Sequence, residues 1–174
     1  MHYLFKTSKE KEENDNQFIF KISYMEIYLD NIIDLLNPKT EEKVIIREDE
    51  KENINLINLR KLKIDSPEKA LKWFISGNLL RHSASTLKNQ ESSRSHAIFT
   101  IYIENNILME NKIKKSVFHI IDLAGSESQK EAETEGERVK EGGANNRSLA
   151  VLSRVIQEIN NNKKGIEYLI EILN

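Results

Sequence analysis

The chain of 174 residues has no cysteine, which excludes a disulfide framework and a thiolate metal site. Glycine is sparse. Gly77, Gly125, Gly136, Gly142, Gly143 and Gly165 are the whole set, and none opens a G-x-x-x-x-G-K-[ST] string. The loop whose backbone N–H groups and lysine cradle nucleotide phosphates is therefore missing from the sequence. No apolar stretch approaches a membrane span, and the opening MHYLFKTSKEKEEN turns to charge too soon for a signal peptide. No membrane partner is expected. Net charge is −2, so no global basic field calls for nucleic acid. There are no internal repeats and no low-complexity linker. The remainder is ordinary: about one domain's worth of chain, with a charged fraction of 31% that suits a soluble, intracellular globular domain.

What is present centres on residues 118–127, Phe118-His119-Ile120-Ile121-Asp122-Leu123-Ala124-Gly125-Ser126-Glu127. An apolar run ends in an acid, and a small-residue turn follows. A buried parallel strand delivers a carboxylate in this way to the rim of an α/β sheet, where ligands bind beyond the carboxyl ends of the strands. In phosphate-handling sites such an Asp holds Mg²⁺ through water, and the glycine lets a backbone N–H approach the terminal phosphate. The same pattern also starts many ordinary turns.

A second string stands upstream, Asn89-Gln90-Glu91-Ser92-Ser93-Arg94-Ser95-His96. Its adjacent hydroxyls can ligate Mg²⁺ and touch a γ-phosphate. Its arginine can grip a carboxylate by two prongs. Together, N-x-x-S-S-R-S-H and D-L-A-G-S-E resemble switch I and switch II of the kinesin motor domain, in the family's order and separation. Residues 23–36 resemble the family's S-Y-x-E-I-Y-N-E-x-I-x-D-L-L, with Leu29 and Asp30 in place of Asn-Glu. Residues 136–153 resemble G-x-R-L-K-E-G-x-x-I-N-K-S-L-x-x-L-G, with Asn145 for Ile and Ser153 for the last Gly. Gly165-Ile166-Glu167-Tyr168 begins like the family's I-P-Y-R-D-S-K-L-T and then turns apolar at Leu169, Ile170, Ile172 and Leu173. Within the family, residues 44–96 look most like the centromere-associated kinesins.

The remaining pattern places these strings on elements. Residues 2–13 read as the end of a helix with no cap at its start. Residues 17–28 carry apolar side chains on both faces, as an interior strand does. Glu26 and Asp34 read as structural. Asn37-Pro38 breaks the chain. Residues 44–47 and 54–64 read as an edge hairpin around Glu48–Asn53, then a further strand. Ser66-Pro67-Glu68 starts a helix by cap, proline and acid, with Ala70, Leu71, Phe74 and Ile75 on one face and Trp73 packing beside it. Gly77 permits close approach or ends the first helical piece. His82 reads as polar surface and His96 as structural. Residues 97–103 and 113–121 read as an antiparallel hairpin around a polar turn. Residues 127–141 form an acidic loop, and 146–161 an amphipathic helix.

The expected fold class is α/β: residues 1–174 as the middle of a kinesin-type motor domain, a mostly β central sheet flanked by helices, without its phosphate-loop half. The resemblance implies a microtubule-stimulated ATPase that uses ATP and Mg²⁺, partners microtubules, and works on the cytoskeleton at the spindle or kinetochore. It implies that Ser92 and Ser93 sense γ-phosphate and Mg²⁺, with Ser93 a metal ligand, and that Asn89 moves with the phosphate. Asp122 holds a Mg²⁺-bound water, and Gly125 donates its N–H. Arg94 and Glu127 pair to close the pocket and position water, while Lys140, Asn146 and Arg147 face the microtubule. Without the phosphate loop, this chain alone is expected to be inactive. Two other readings remain: a non-catalytic module that binds tubulin or another partner, and an incomplete gene product.

Overall fold

A computed structural model describes residues 1–12, 16–28, 31–50, 54–87 and 95–124. The elements in chain order are α1 (His2–Glu12), β1 (Asn16–Tyr28), β2 (Asn31–Asp34), β3 (Ile45–Glu48), β4 (Ile54–Ile57), β5 (Leu62–Ile64), α2 (Pro67–Leu87), β6 (His96–Ile107) and β7 (Lys112–Asp122).

β1 is the spine. One of its edges pairs with β2 through Met25–Tyr28 and with β5 through Phe20–Ile22, and the other pairs with β6 along nearly its whole length. β7 follows β6, giving the order β2-β1-β6-β7 with β5 alongside β2 on β1. Alternation along β1 divides the core. Phe20, Ile22 and Tyr24 face α1 and α2 together with Ala97, Phe99 and Ile101 of β6. Met25, Ile27 and Ile98 face the other way, under Val44, Ile46 and Leu56 of the β3–β4 region. Each such side chain contributes about 1.5–3 kcal/mol on full burial. The interior-strand reading of residues 17–28 thus holds, because two different layers cover the two faces.

α1 docks through Phe5, whose ring stacks on Phe20 at 4.3 Å between centroids. α2 starts as expected: the Ser66 hydroxyl accepts the Lys69 N–H at 3.3 Å. Its buried face is rotated from the expected one. Ala70 and Gly77 are buried, whereas Leu71 is 54% exposed and Ile75 49%. Gly77 is the reason. A Cβ there would collide with the Tyr24 ring, so the bare backbone of the glycine lies against the sheet, and the stripe through Ala70, Phe74, Gly77 and Arg81 becomes the inner one. The helix runs on to Leu87, so Gly77 serves close approach and ends nothing.

The β3–β4 hairpin is a separate two-stranded sheet lying over one face, not an edge of the main sheet. Asn58, at φ 67°, turns the chain out of it and its side-chain amide donates to the Lys43 carbonyl at 3.1 Å. β6 and β7 form the expected antiparallel hairpin. They are longer than their apolar cores, since Asn105 stays in register with β1 and donates to Asn16 Oδ1 at 3.0 Å. The described pairing of β7 is antiparallel, as expected for the hairpin, while Phe118 and Ile120 are exposed, so the run before Asp122 does not follow the pattern of a buried parallel strand among the described residues. Phe118 and Ile120 lie on the α1/α2 side of the sheet, in register with Ile101 and Phe99, but no described helix covers them.

Candidate functional site

The carboxyl end of β7, the amino end of β6 and the last described turns of α2 meet at one corner of the sheet. Register puts Asp122 opposite Ala97, and Ala97 opposite Glu26 of β1, so the two acids share a face two strands apart. Between them lies Arg81. It is four residues past Gly77 on the inner stripe of α2, and its side chain is only 8% exposed.

The guanidinium is gripped from several directions. Nη1 donates to Asp122 Oδ2 at 2.6 Å. Nη2 donates to the Ser95 carbonyl at 2.8 Å. Nε lies 3.3 Å from Glu26 Oε1 and 3.3 Å from Ser95 Oγ. The Ser95 hydroxyl donates to Glu26 Oε1 at 2.5 Å. A buried arginine held by two carboxylates and a carbonyl satisfies the rule that buried charge must be paired and hydrogen-bonded. The two acids are not equivalent: the Glu26 side chain is 8% exposed and that of Asp122 71%. Asp122 therefore presents a carboxylate to solvent while one oxygen rests on Arg81.

His96 closes the corner from the other side of Ser95. Its Nδ1 accepts the Ala124 N–H at 3.0 Å, tying the start of β6 to the turn after β7. Burial, and then the nearby Arg81 charge, push the imidazole below its ordinary value, with Asp122 opposing. The neutral ring is the form that can accept this hydrogen bond. The structural role expected of His96 is thus given a partner. Asp34 is structural as well: its carboxylate accepts the backbone N–H of Leu36 at 2.8 Å and of Arg60 at 2.7 Å.

Of the residues expected to form a site, Asp122 is described and stands where a strand end should deliver it. Asn89, Ser92, Ser93, Arg94, Gly125, Glu127, Lys140, Asn146 and Arg147 lie outside the described residues, as does the side chain of His82. Sequence reasoning missed Arg81 and set Glu26 aside as structural. The signal was available in the i, i+4, i+7, i+11 spacing from Ala70 to Arg81. It was masked because Leu71 and Ile75 offer a more apolar stripe than the one that is used.

The donor set bears on which cation fits. Among the described residues, no cluster of three or more His, Cys, Asp or Glu side chains stands close enough to cage a metal. A single solvent-facing carboxylate suits Mg²⁺, which keeps several waters and takes one or two carboxylates plus substrate phosphates. Asp122 fits that part. The described residues contain no phosphate cradle.

The chain matches the kinesin motor domain family over residues 1–169. It is 44% identical over 162 residues to the chromosome-associated kinesin KIF4 of Gallus gallus, covering 90% of this chain and 13% of that protein. It is 38% identical over 171 residues to the human centromere-associated protein E, covering 95% of this chain and 6% of that one. A solved fast kinesin, described for its ATPase mechanism and interactions with microtubules, superposes with a TM-score of 0.78 at 29% identity, covering 96% of this chain and 47% of that structure.

Proposed function

The chain belongs to the kinesin motor domain family, and from that premise we propose that it is the switch-bearing middle of a microtubule-stimulated ATPase, inactive until a phosphate loop is supplied. It spans 13% of the KIF4 relative and 47% of the fast-kinesin structure. The observation that carries the reading is Asp122, a solvent-facing carboxylate at the end of β7 seated on buried Arg81.

The kinesin motor family binds ATP and Mg²⁺; when bound, Mg²⁺ neutralises charge that develops on the transferred phosphoryl group. In this chain, Asp122 would hold a water of that ion, with Ser93 as ligand and Ser92 beside the γ-phosphate. Asn89 would follow the phosphate, and the Gly125 N–H would donate to it. Arg94 and Glu127 would pair across the pocket and orient the attacking water. Lys140, Asn146 and Arg147 would meet the microtubule. Loss of the phosphate contact would release the loops and shift the segment 146–161, an order–disorder switch biased by one phosphate. The partner is the microtubule cytoskeleton, at the spindle or kinetochore, in keeping with the names of the chromosome- and centromere-associated relatives.

Switch residues supply few of the phosphate contacts in this site class. The isolated chain is therefore expected to bind Mg-ATP weakly by calorimetry and to show no microtubule-stimulated turnover. Fusing the phosphate-loop half of a KIF4-type motor upstream should restore turnover, and Asp122→Ala in the fusion should abolish it. A micromolar Kd for the isolated chain, or a fusion indifferent to Asp122, refutes the reading. The missing G-x-x-x-x-G-K-[ST] string favours a second reading, a non-catalytic module that binds tubulin or another partner. Its mark is cosedimentation with microtubules that is unaffected by Asp122→Ala and Ser93→Ala.

A further inference from the structure

β5 is an edge. It pairs with β1 on one side, and among the described residues nothing pairs with its other side. One face of the strand is given to the core, where Leu62 packs and Ile64 is buried. The opposite face is cationic. Lys63 stands directly across from Lys21 on β1, and Lys21 stands across from Tyr102 on β6. Lys61, two residues before Lys63, returns to the same face and lays its ammonium 4.6 Å from the Tyr102 ring centroid. Three lysines thus gather around one half-buried ring, whose hydroxyl lies 3.2 Å from Ser23 Oγ. Like charges set opposite each other across a strand pair destabilise it, so this row calls for an anion. Glu104 supplies one, 3.2 Å from Lys21 Nζ. The acid after β5, Asp65, is held by Lys69 at 2.6 Å. Among the described residues, no carboxylate lies within ion-pair distance of Lys61 or Lys63, and both are exposed.

We propose that the open edge of β5 is a docking site for an extended acidic peptide, which adds as a further strand and sets alternate Asp or Glu side chains against Lys61 and Lys63. A lysine on an edge ordinarily keeps apolar strands away. Two on one face of an open edge, backed by a third, also select: they repel a basic strand and match one with acids at every second position. Pairing with so short a strand supplies little affinity, so charge supplies most of it and binding is salt-sensitive. With a net charge of −2, the chain has no broad basic field for a nucleic acid, which favours a short peptide. The site is separate in sequence from Lys140, Asn146 and Arg147, and it does not rest on the ATPase reading.

The test titrates the whole chain with the peptide Thr-Glu-Val-Glu-Val-Glu-Thr at low salt and follows ¹⁵N-resolved amide shifts and exchange. The amides of residues 61–64 should shift and gain protection, while those of 112–115, the other lysine-rich edge segment, should not. Raising the ionic strength from about 0.05 M to about 0.3 M should weaken binding roughly tenfold. Lys61→Glu combined with Lys63→Glu should weaken it roughly tenfold or more. Misfolding does not account for such a loss, because Lys63→Glu sets an opposite charge across from Lys21 and should leave the urea midpoint unchanged or raised. A peptide of the same composition with contiguous acids, Thr-Val-Val-Glu-Glu-Glu-Thr, should bind about threefold more weakly or worse, since only alternate positions share a face. Equal binding of the two peptides overturns strand addition. Absence of shifts at 61–64, or binding indifferent to the double variant, overturns the site. An oligothymidylate that binds 61–64 more tightly than the peptide gives these lysines to nucleic acid and overturns the proposal as well.

Discussion

Arg81 shows how one side chain can dominate a corner of a fold. Truncating it leaves the Glu26 carboxylate buried with no opposite charge facing it among the described residues, and breaking a buried pair from one side costs about 3–5 kcal/mol. Arg81→Met should therefore lower the urea-unfolding free energy by about that much. Adding Glu26→Gln should recover part of the loss, because the second change removes the orphaned charge. A double variant whose loss equals the sum of the two single losses would show that the residues are uncoupled. The two histidines give a second handle. Burial pushes both His96 and His119 below their ordinary value. The unfolded chain then binds more protons than the folded one in the window between the depressed values and about 6.5, so stability rises with pH across it. On acidification the contribution is full above about 6.5 and is lost as pH falls through the folded values. The denaturant midpoint should drop between pH 7.5 and 5, roughly the range bracketing an ordinary histidine. Replacing both histidines by Asn should flatten that slope. An unchanged slope assigns the effect to carboxylates.

Among the elements, α2 separates what the pattern of residues reveals from what it conceals. Its start was legible in Ser66-Pro67-Glu68, and its existence in the spacing of apolar residues. Its rotation was not, because Leu71 and Ile75 look like a core stripe and Gly77 looks like a break. Only the position of the Tyr24 ring, set by β1, shows that the glycine must face inward. An alanine in place of a helical glycine ordinarily gains about 1 kcal/mol. Gly77→Ala should instead lose about 1–3 kcal/mol, because the methyl overpacks against Tyr24. Leu71→Gln should be neutral to within about 0.5 kcal/mol. Thermal unfolding of the two variants checks both, and the reverse order would restore the original face. The strands were more legible than the helix. β1 shows apolar residues on both faces because it is covered on both, and the β6–β7 hairpin shows period two. Their ends were not legible, since Asn105 and Lys112 are polar and are kept in strand by pairing with their neighbours. At the site, Asp122 was legible from an apolar run closed by an acid. Arg81 and Glu26 were not, because their proximity depends on sheet register and on the glycine-led docking of α2.

The whole sheet raises a question that no single element does. β7 pairs with β6 along its full length and is the last strand of the sheet among the described residues. Lys112, Lys114 and Lys115 blunt its first half, as charged edges do in native sheets. Its second half, residues 117–121, carries no lysine or proline, and there Val117 is 51% exposed and Phe118 55%. Among the described residues nothing pairs with its outer edge, and backbone groups left open beside apolar side chains are the combination that invites pairing with another chain. In an antiparallel strand with a single neighbour, alternate amides point to the partner and the others point away. The chain in dilute solution should therefore show slow and fast amide exchange alternating along residues 117–121, with association growing as concentration rises. Phe118→Lys should suppress that association without lowering stability by more than about 0.5 kcal/mol, since the ring is largely in solvent already. The decisive measurement is exchange at low concentration on a preparation shown to be monomeric by sedimentation. Uniformly slow exchange from 117 to 121 in that monomer would mean that both edges of the strand are paired within one chain, and the association predicted here would then have no edge to start from.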